Sequence, residues 1–301
     1  MADVVIVGGG VMGASCAYWL TRLSPGLAVT VVERDTSYTH AATALSVASV
    51  RQQFSTDVNV KISRFGIDFI RHFEDRLGHS VGVPSLGLRE NGYLFVTGSV
   101  ENAALMRDVA AMQCSHGAVT DVLDAAGIAA RFPWLHTDDL VAGSFGARDE
   151  GWFDNMGLLA GFKAAAVAQG ARFVRDEVTG ISVVGGRVTG VHLGQGGDLP
   201  CGVVVNAAGT RGADVAAMVG FALVVEPRKR TVFVIDAPNA RHPEAPLMID
   251  AGYYLRPEDK HWIVATVPSD DGPCDINDFD PDLHLFEDVI WEQFVSSCTG
   301  L

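Results

Sequence analysis

The chain opens with a run that few folds can house. Val4, Val5, Ile6 and Val7 are four consecutive β-branched residues, and Gly8-Gly9-Gly10-Val11-Met12-Gly13 follows directly. β-Branched residues favour extended backbone, and an unbroken apolar run of this kind suits a strand buried on both faces of a parallel sheet. Ala14-Ser15-Cys16-Ala17-Tyr18-Trp19-Leu20 then places small residues on the early face of a helix. After Ser24-Pro25-Gly26 a second apolar run over residues 28–32 ends in Glu33. The order is strand, glycine loop, helix, strand, acid.

Each glycine has its own task in such a unit. Gly8 permits the sharp turn out of the strand, Gly10 lets a diphosphate approach the backbone, and Gly13 lets the helix lie close to the sheet. The helix start, at Val11 and Met12, offers free N–H groups and a partial positive charge to phosphate oxygens. Glu33, 20 residues after Gly13, is placed to accept hydrogen bonds from a ribose diol, and its charge disfavours a 2′-phosphate. The pattern predicts a dinucleotide site and by itself does not choose between NAD and FAD.

Composition narrows the rest. With 301 residues, 48% apolar and 19% charged, the chain can bury a large core and is not a disordered one. Its net charge of −14 argues against nucleic-acid or anionic-membrane partners. The five cysteines, at 16, 114, 201, 274 and 298, form no Cys-x-x-Cys pair, and His40 and His261 lack metal-like spacing, so neither a disulfide framework nor a metal site is expected. No apolar run reaches the roughly 18 residues of a membrane-spanning helix. A buried strand close to Met1 leaves no room for a leader, so a soluble, cytoplasmic protein is expected.

Beyond residue 40, residues 56–77 read as one amphipathic helix with Val60, Ile62, Phe65, Phe69, Ile70 and Phe73 as its apolar face. Residues 84–98 are strand-like around Tyr93-Leu94-Phe95-Val96, and 101–112 and 124–131 are helical. Residues 157–169 read as an Ala-rich helix, followed by strands at 171–174, 181–184, 188–193 and 202–205, then at 226–235 and 252–267. The expected architecture is α/β: a Rossmann-type lobe from residues 1–83 and 150–220, interleaved with a mainly antiparallel-sheet substrate lobe from 84–149 and 221–301. Ligands favour the cleft between lobes.

Several segments together resemble the D-amino-acid-oxidase-like FAD-dependent oxidoreductases: VVIVGGGVMGASCAYWL, VVERD, ATALSVASVRQQFS, RFPWL, DEGWFD, VVVNAAG and VEPRKRTVFV. Within that superfamily the likeness is to the FAD-dependent oxidoreductase that assists assembly of mitochondrial respiratory complex I, and to its bacterial relatives. The resemblance implies noncovalent FAD in the first lobe. Gly8, Gly10 and Gly13 would hold the pyrophosphate and Glu33 the adenosine ribose, with Arg34 beside the adenine. Ala42 and Thr43 match a segment that wraps the pyrophosphate, although Thr43 also suits a helix N-cap. Val178 matches a position whose backbone meets adenine, although ordinary core is the commoner place for a valine. Ala208 and Gly209 match a small-residue turn near the cofactor.

The resemblance also implies oxidation of a C–H bond next to an amine nitrogen, with a hydride equivalent passing to flavin. Arg51, in the stretch that lies against the flavin ring, is the candidate for binding a substrate carboxylate; neutralising a local acid is its other reading. Tyr254 and Arg256 resemble the strand that roofs the substrate pocket, and alternation puts them on one face. Arg228-Lys229-Arg230 is either cleft charge or a solvated edge run. Ala265 falls near a position where oxidases of the superfamily carry an oxygen-activating lysine, and Ala44-Leu45-Ser46 lacks the flavin-linking histidine of some relatives. The expectation is therefore a dehydrogenase passing electrons to an unidentified acceptor. The final residues, 292–301, match nothing in the family, which suggests a truncated product. A flavin-fold assembly or scaffolding protein and an NAD-dependent dehydrogenase stay open as other readings.

Overall fold

The structure, a computed structural model, describes residues 2–78, 82–83, 85–250 and 252–297. Met1, Pro84 at the head of the expected strand stretch, and the tail 298–301 lie outside the described residues. The chain begins with β1 (Val4–Val7), α1 (Val11–Leu23), β2 (Val29–Glu33), α2 (Ala42–Leu45), β3 (Ser49–Val50), α3 (Asp57–Arg71) and α4 (Phe73–Leu77). It continues with β4 (Tyr93–Thr97), α5 (Val100–Ser115), β5 (Thr120–Asp124), α6 (Ala125–Arg131), β6 (Ala142–Gly146) and β7 (Gly151–Trp152). Next come α7 (Asn155–Ala168), β8 (Arg172–Arg175), β9 (Val178–Val184), β10 (Arg187–Leu193), β11 (Gly197–Pro200) and β12 (Val203–Asn206). The last stretch holds α8 (Gly212–Ala217), β13 (Val232–Ile235), β14 (Leu247–Asp250), β15 (Tyr253–Glu258), β16 (His261–Thr266) and α9 (Trp291–Ser297).

Two sheets carry the architecture. The first is fully parallel, in the order β12-β1-β2-β8, with β1 at residues 4–7 aligned to both 203–206 and 29–32. Burial of β1 on both faces explains its unbroken apolar run. Ala14 and Ala17 of α1 and Ala165 and Ala166 of α7 are buried in one cluster with Val4, Ile6 and Val31, so the small residues set how near the helices come. The second sheet has seven strands in the order β13-β16-β15-β14-β4-β6-β5 and is antiparallel except at β14–β4. A three-stranded sheet, β11-β10-β9, sits beside the first; on it His192 bridges the strands, Nε2 to Ser182 Oγ at 2.9 Å and Nδ1 to Asp198 Oδ1 at 2.6 Å.

Alternation divides the seven-stranded sheet into two faces. Leu94, Val96, Met248, Tyr253, Leu255, Trp262 and Val264 pack into one core cluster, together with Ile290 and Phe294. Tyr93, Phe95, Leu247, Ile249 and Tyr254 lie on the opposite, inner face with Trp152. That inner face carries the site residues.

Two expected elements differ. The 56–77 helix is broken at His72, whose ring Nδ1 lies 3.0 Å from Asp68 O within the helical ladder. The break turns Phe73 into the core against Phe69 and Phe162, while Ile62 and Phe65, expected on the buried face, are 63% and 55% exposed. The strand expected over 226–235 is regular only in β13, because residues 228–230 turn their side chains to acids: Lys229 Nζ is 2.7 Å from Asp278 and Arg230 is paired at 2.7 Å with Asp271. The basic run is thus neutralised locally. Among the described residues no helix is long and apolar enough to cross a membrane, and no group of three or more metal-ligating side chains is gathered.

The face division gives a direct test. Leu94→Ala removes a fully buried side chain and is expected to lower unfolding free energy by about 2–5 kcal/mol, whereas Val234→Ala at an exposed position should stay within about 0.5 kcal/mol. Urea unfolding of both variants measures the contrast.

Candidate functional site

The turn between β1 and α1 is closed by backbone alone. Gly8 has φ +100°, and a Cβ there would lie 2.4 Å from Ala207 O; a Cβ at Gly13 would lie 1.9 Å from Gly8 O. Gly8 N–H donates to Val32 O at 2.9 Å and Ala207 N–H to Val7 O at 2.9 Å, so the turn is held between the ends of β2 and β12. Ala208 and Gly209 follow β12 here; Ala208 N–H donates to Asn206 Oδ1 at 3.3 Å, and Gly209 has φ +58°. Val11 and Met12 open α1, whose first N–H groups have no intrahelical acceptor. Thr43 Oγ1 accepts from Val11 N at 3.1 Å and would lie 3.2 Å from a Cβ at Gly10. Thr43 is therefore inside α2, after Ala42, and caps α1 rather than its own helix.

Glu33 faces the same turn. Its Oε2 accepts from Gly9 N at 2.7 Å and its Oε1 from Asp35 N at 2.8 Å, which leaves each oxygen a further lone pair. Arg34 beside it is exposed. Tyr38, in the left-handed region at φ +58°, buries its hydroxyl 3.3 Å from where a Cβ on Gly9 would be, and that hydroxyl has no hydrogen-bond partner among the described residues. Burial, then the charges of Glu33 and Asp35, push the phenol above its ordinary pKa, so it stays a donor. Val178 opens β9 with its side chain buried among Val5, Val7 and Val32. A cradle that added Cβ atoms would fill, free N–H groups and an orphaned hydroxyl together fit a dinucleotide diphosphate, with Glu33 at the sugar.

Residues 41–54 run from this turn to the inner face of the large sheet. Asn155 Nδ2 donates to Thr43 O and, at 3.1 Å, to Ser46 O. Arg256 Nη2 donates to Val47 O at 3.3 Å, and Phe153 N–H to Ala48 O at 3.2 Å. β3 then pairs with β7. At the end of this segment the Arg51 guanidinium lies over the rings of Phe54, Phe95 and Tyr93, at 4.8, 5.3 and 5.6 Å from their centroids. It makes no side-chain hydrogen bond or ion pair among the described residues, so its donor fork is uncommitted.

Arg256 is placed differently. It is 5% exposed, pairs with Glu258, donates to Pro257 O at 3.0 Å and stacks 5.0 Å over Trp152. It shares a face with Tyr254, but its fork is engaged in holding the 41–54 segment. Tyr254 joins the aromatic wall with its phenol pKa raised, chiefly by burial. Ala265 is directly opposite Tyr254 in the β15–β16 register.

Sequence reasoning missed three contributors: Glu150, Gln53 and Asn155. Glu150, only 1% exposed, accepts from Gln52 N at 2.5 Å, Gln53 N at 3.0 Å and Gln53 Nε2 at 2.9 Å. Burial pushes its carboxyl up to about 7, against the hydrogen bonds from Gln53 and Gln52 and the charge of Arg51. Glu150 stands beside Arg148 and Asp149 in the sequence, where an acid is ordinarily solvated, so no local signal marks it.

A parallel-sheet lobe with a glycine turn, an acid at the end of β2 and an interleaved antiparallel sheet has the build of a dinucleotide-binding protein. Residues 3–296 match the family described as FAD dependent oxidoreductase (DAO), and the chain belongs to that family. FAD is accordingly its cofactor. The chain is 34% identical over 327 residues to FAD-dependent oxidoreductase domain-containing protein 1 of Xenopus laevis, covering 96% of this chain and 65% of that protein. It thus spans about two thirds of that relative's length. It is 30% identical over 227 residues to mitochondrial sarcosine dehydrogenase of Mus musculus, covering 73% of this chain and 24% of that protein. Among solved structures, L-proline dehydrogenase of P. horikoshii superposes with a TM-score of 0.83 at 23% identity, covering 98% of this chain and 76% of that one. This last likeness shows the fold.

Gly13→Ala tests the cradle. The 1.9 Å contact with Gly8 O cannot be relieved by a flexible side chain, so overpacking of about 1–3 kcal/mol is expected. Cofactor retention should weaken about ten- to a hundredfold, read from the ratio of flavin to protein absorbance after gel filtration.

Proposed function

We propose that the protein is an FAD-dependent oxidoreductase acting on the C–H bond next to the nitrogen of an amino acid or of a secondary or N-methylated amine. The observation that carries this reading is Arg51, an uncommitted guanidinium held over an aromatic wall at the end of a segment that begins at the glycine turn. Arg51 receives the substrate carboxylate as a planar bidentate donor. Phe54, Tyr93, Phe95 and Tyr254 cover the apolar part of the substrate and exclude water from the reacting carbon. Bound FAD supplies the two-electron acceptor chemistry. The similarity to sarcosine dehydrogenase, whose named substrate is an N-methylated amino acid, supports this substrate class.

The lobes divide this work. Residues 1–83 and 150–220 hold the cofactor through Gly8, Gly10, Val11, Met12, Gly13, Glu33, Arg34, Ala42, Thr43, the Val178 backbone, Ala208 and Gly209. Residues 84–149 and 221–301 supply the substrate wall. Ala44-Leu45-Ser46 offers no histidine, cysteine or tyrosine for a covalent link, so FAD is held noncovalently. Ala265 opposite Tyr254 puts no cation on that part of the wall, which supports a dehydrogenase using an acceptor other than oxygen. A second reading, a flavin-fold assembly or scaffolding protein with little turnover, is supported by the exposed apolar residues Phe221, Val224 and Val234.

Heat release and identification of the bound cofactor, then turnover of sarcosine, L-proline and D-amino acids with an artificial dye acceptor, test the reading. Activity with the dye, and reoxidation of the reduced protein in air slow by comparison, are expected. Absence of turnover with all three substrate types would favour the scaffolding reading. Arg51→Lys loses the planar fork and should lower kcat/KM for carboxylate substrates about ten- to a hundredfold, mainly through KM.

A further inference from the structure

We propose that Glu150 is the positioning residue for Arg51: its buried carboxylate clamps residues 51–53 to the inner face of the large sheet and so presents the guanidinium over the aromatic wall. The inference rests on the carboxylate-binding role proposed for Arg51.

The geometry is a closed set. Glu150 receives both consecutive backbone N–H groups of Gln52 and Gln53 together with the Gln53 side-chain amide. That amide also donates to Tyr93 O at 2.8 Å, and its oxygen accepts from Ser144 Oγ at 2.6 Å, so the clamp is tied to both β4 and β6. The carboxylate rests on Gly146, where a Cβ would lie 2.1 Å from Glu150 Oε2; the missing side chain is its seat. Gly146 and Ser144 are register partners of Tyr93 and Phe95, two of the rings under Arg51. Every group that touches the carboxylate is a donor, so the set matches the ionised acid. A protonated Glu150 would need an acceptor, and Gln53 can supply one only by turning its amide, which takes the donor away from Tyr93 O.

The charged or titratable groups around the clamp are Arg51 on the clamped segment and Tyr93 on β4. Asp149, next in the chain, turns outward to Arg71 at 2.6 Å, where Glu90 joins it. Since burial pushes Glu150 up to about 7, the clamp is set in mild alkali and released in mild acid. A purely electrostatic role has the opposite sign. If Glu150 acted only by its charge, neutralising it would tighten binding of an anion at Arg51.

The test uses the FAD-loaded protein and benzoate, an unreactive carboxylate, titrated by the shift it causes in the flavin absorption band at about pH 6 and about pH 8.5, on either side of that value. Glu150→Gln is expected to weaken benzoate about tenfold or more at the higher pH and to match the wild type at the lower pH. Gly146→Ala, which fills the seat and keeps the charge, should give the same weakening at the higher pH and stands in if Glu150→Gln fails to fold. Unchanged or tighter binding in Glu150→Gln or Gly146→Ala, with Arg51→Lys impaired, overturns the positioning role alone. If the wild type does not respond to benzoate, or Arg51→Lys binds it as well as the wild type, the carboxylate role of Arg51 falls and takes this inference with it.

Discussion

The site depends first on a steric contact between two stretches of backbone. Gly13 approaches Gly8 so closely that a methyl group would overlap its carbonyl oxygen, and Gly8 in turn lies against the carbonyl of Ala207. These contacts bring the start of α1, the end of β1 and the turn after β12 to one point. Only unsubstituted backbone permits that close approach. Glu33 and Thr43 complete the arrangement by bonding Gly9 and Val11, so the turn is fixed before any ligand arrives.

From Thr43 the constraint passes along the chain. Residues 43–53 contain little regular structure, yet they are held by Glu150, Phe153 and Asn155 from one stretch of sequence and by Arg256 from another. The consequence is a fixed spacing between the glycine turn and the aromatic wall. Arg256 belongs to this bracing. A guanidinium already paired with Glu258 and donating to two carbonyls has little left for a substrate, whereas Arg51 has its fork free.

How far the sequence could be read follows the range of the interactions. The glycine turn, Glu33 and the pairing of β1 with β2 were legible because they are set by spacing within about thirty residues. Thr43 was half legible: a hydroxyl at a helix start was evident, but the helix it caps lies 32 residues away. The single helix expected over 56–77 is interrupted by one residue, His72, whose backbone leaves the helical region at φ −108° and ψ 28°, and periodicity carries no sign of that. Arg51 was marked by its segment, but its ring partners Tyr93 and Phe95 come from β4, about forty residues on in the seven-stranded sheet. Glu150 was invisible as a site residue, since an acid in sequence is ordinarily a solvated one, and only the meeting of β6 with residues 52–53 buries it.

That buried acid carries a free-energy cost that helps define its role. Its folded pKa is raised from 4.5 to about 7, so between these values the folded state holds more protons than the unfolded one. Stability attributable to Glu150 therefore falls as pH rises through that window and stays low above it. Three hydrogen bonds offset desolvation only in part, and Glu150 makes no ion pair among the described residues to offset the rest. A well-packed apolar residue in such a place is commonly neutral or better for stability. What an apolar residue cannot do is gather two successive backbone N–H groups and an amide onto one point, and that gathering sets where Arg51 stands. The cost falls on folding while the geometry serves the wall, so stability and site geometry pull in opposite directions at this one carboxylate.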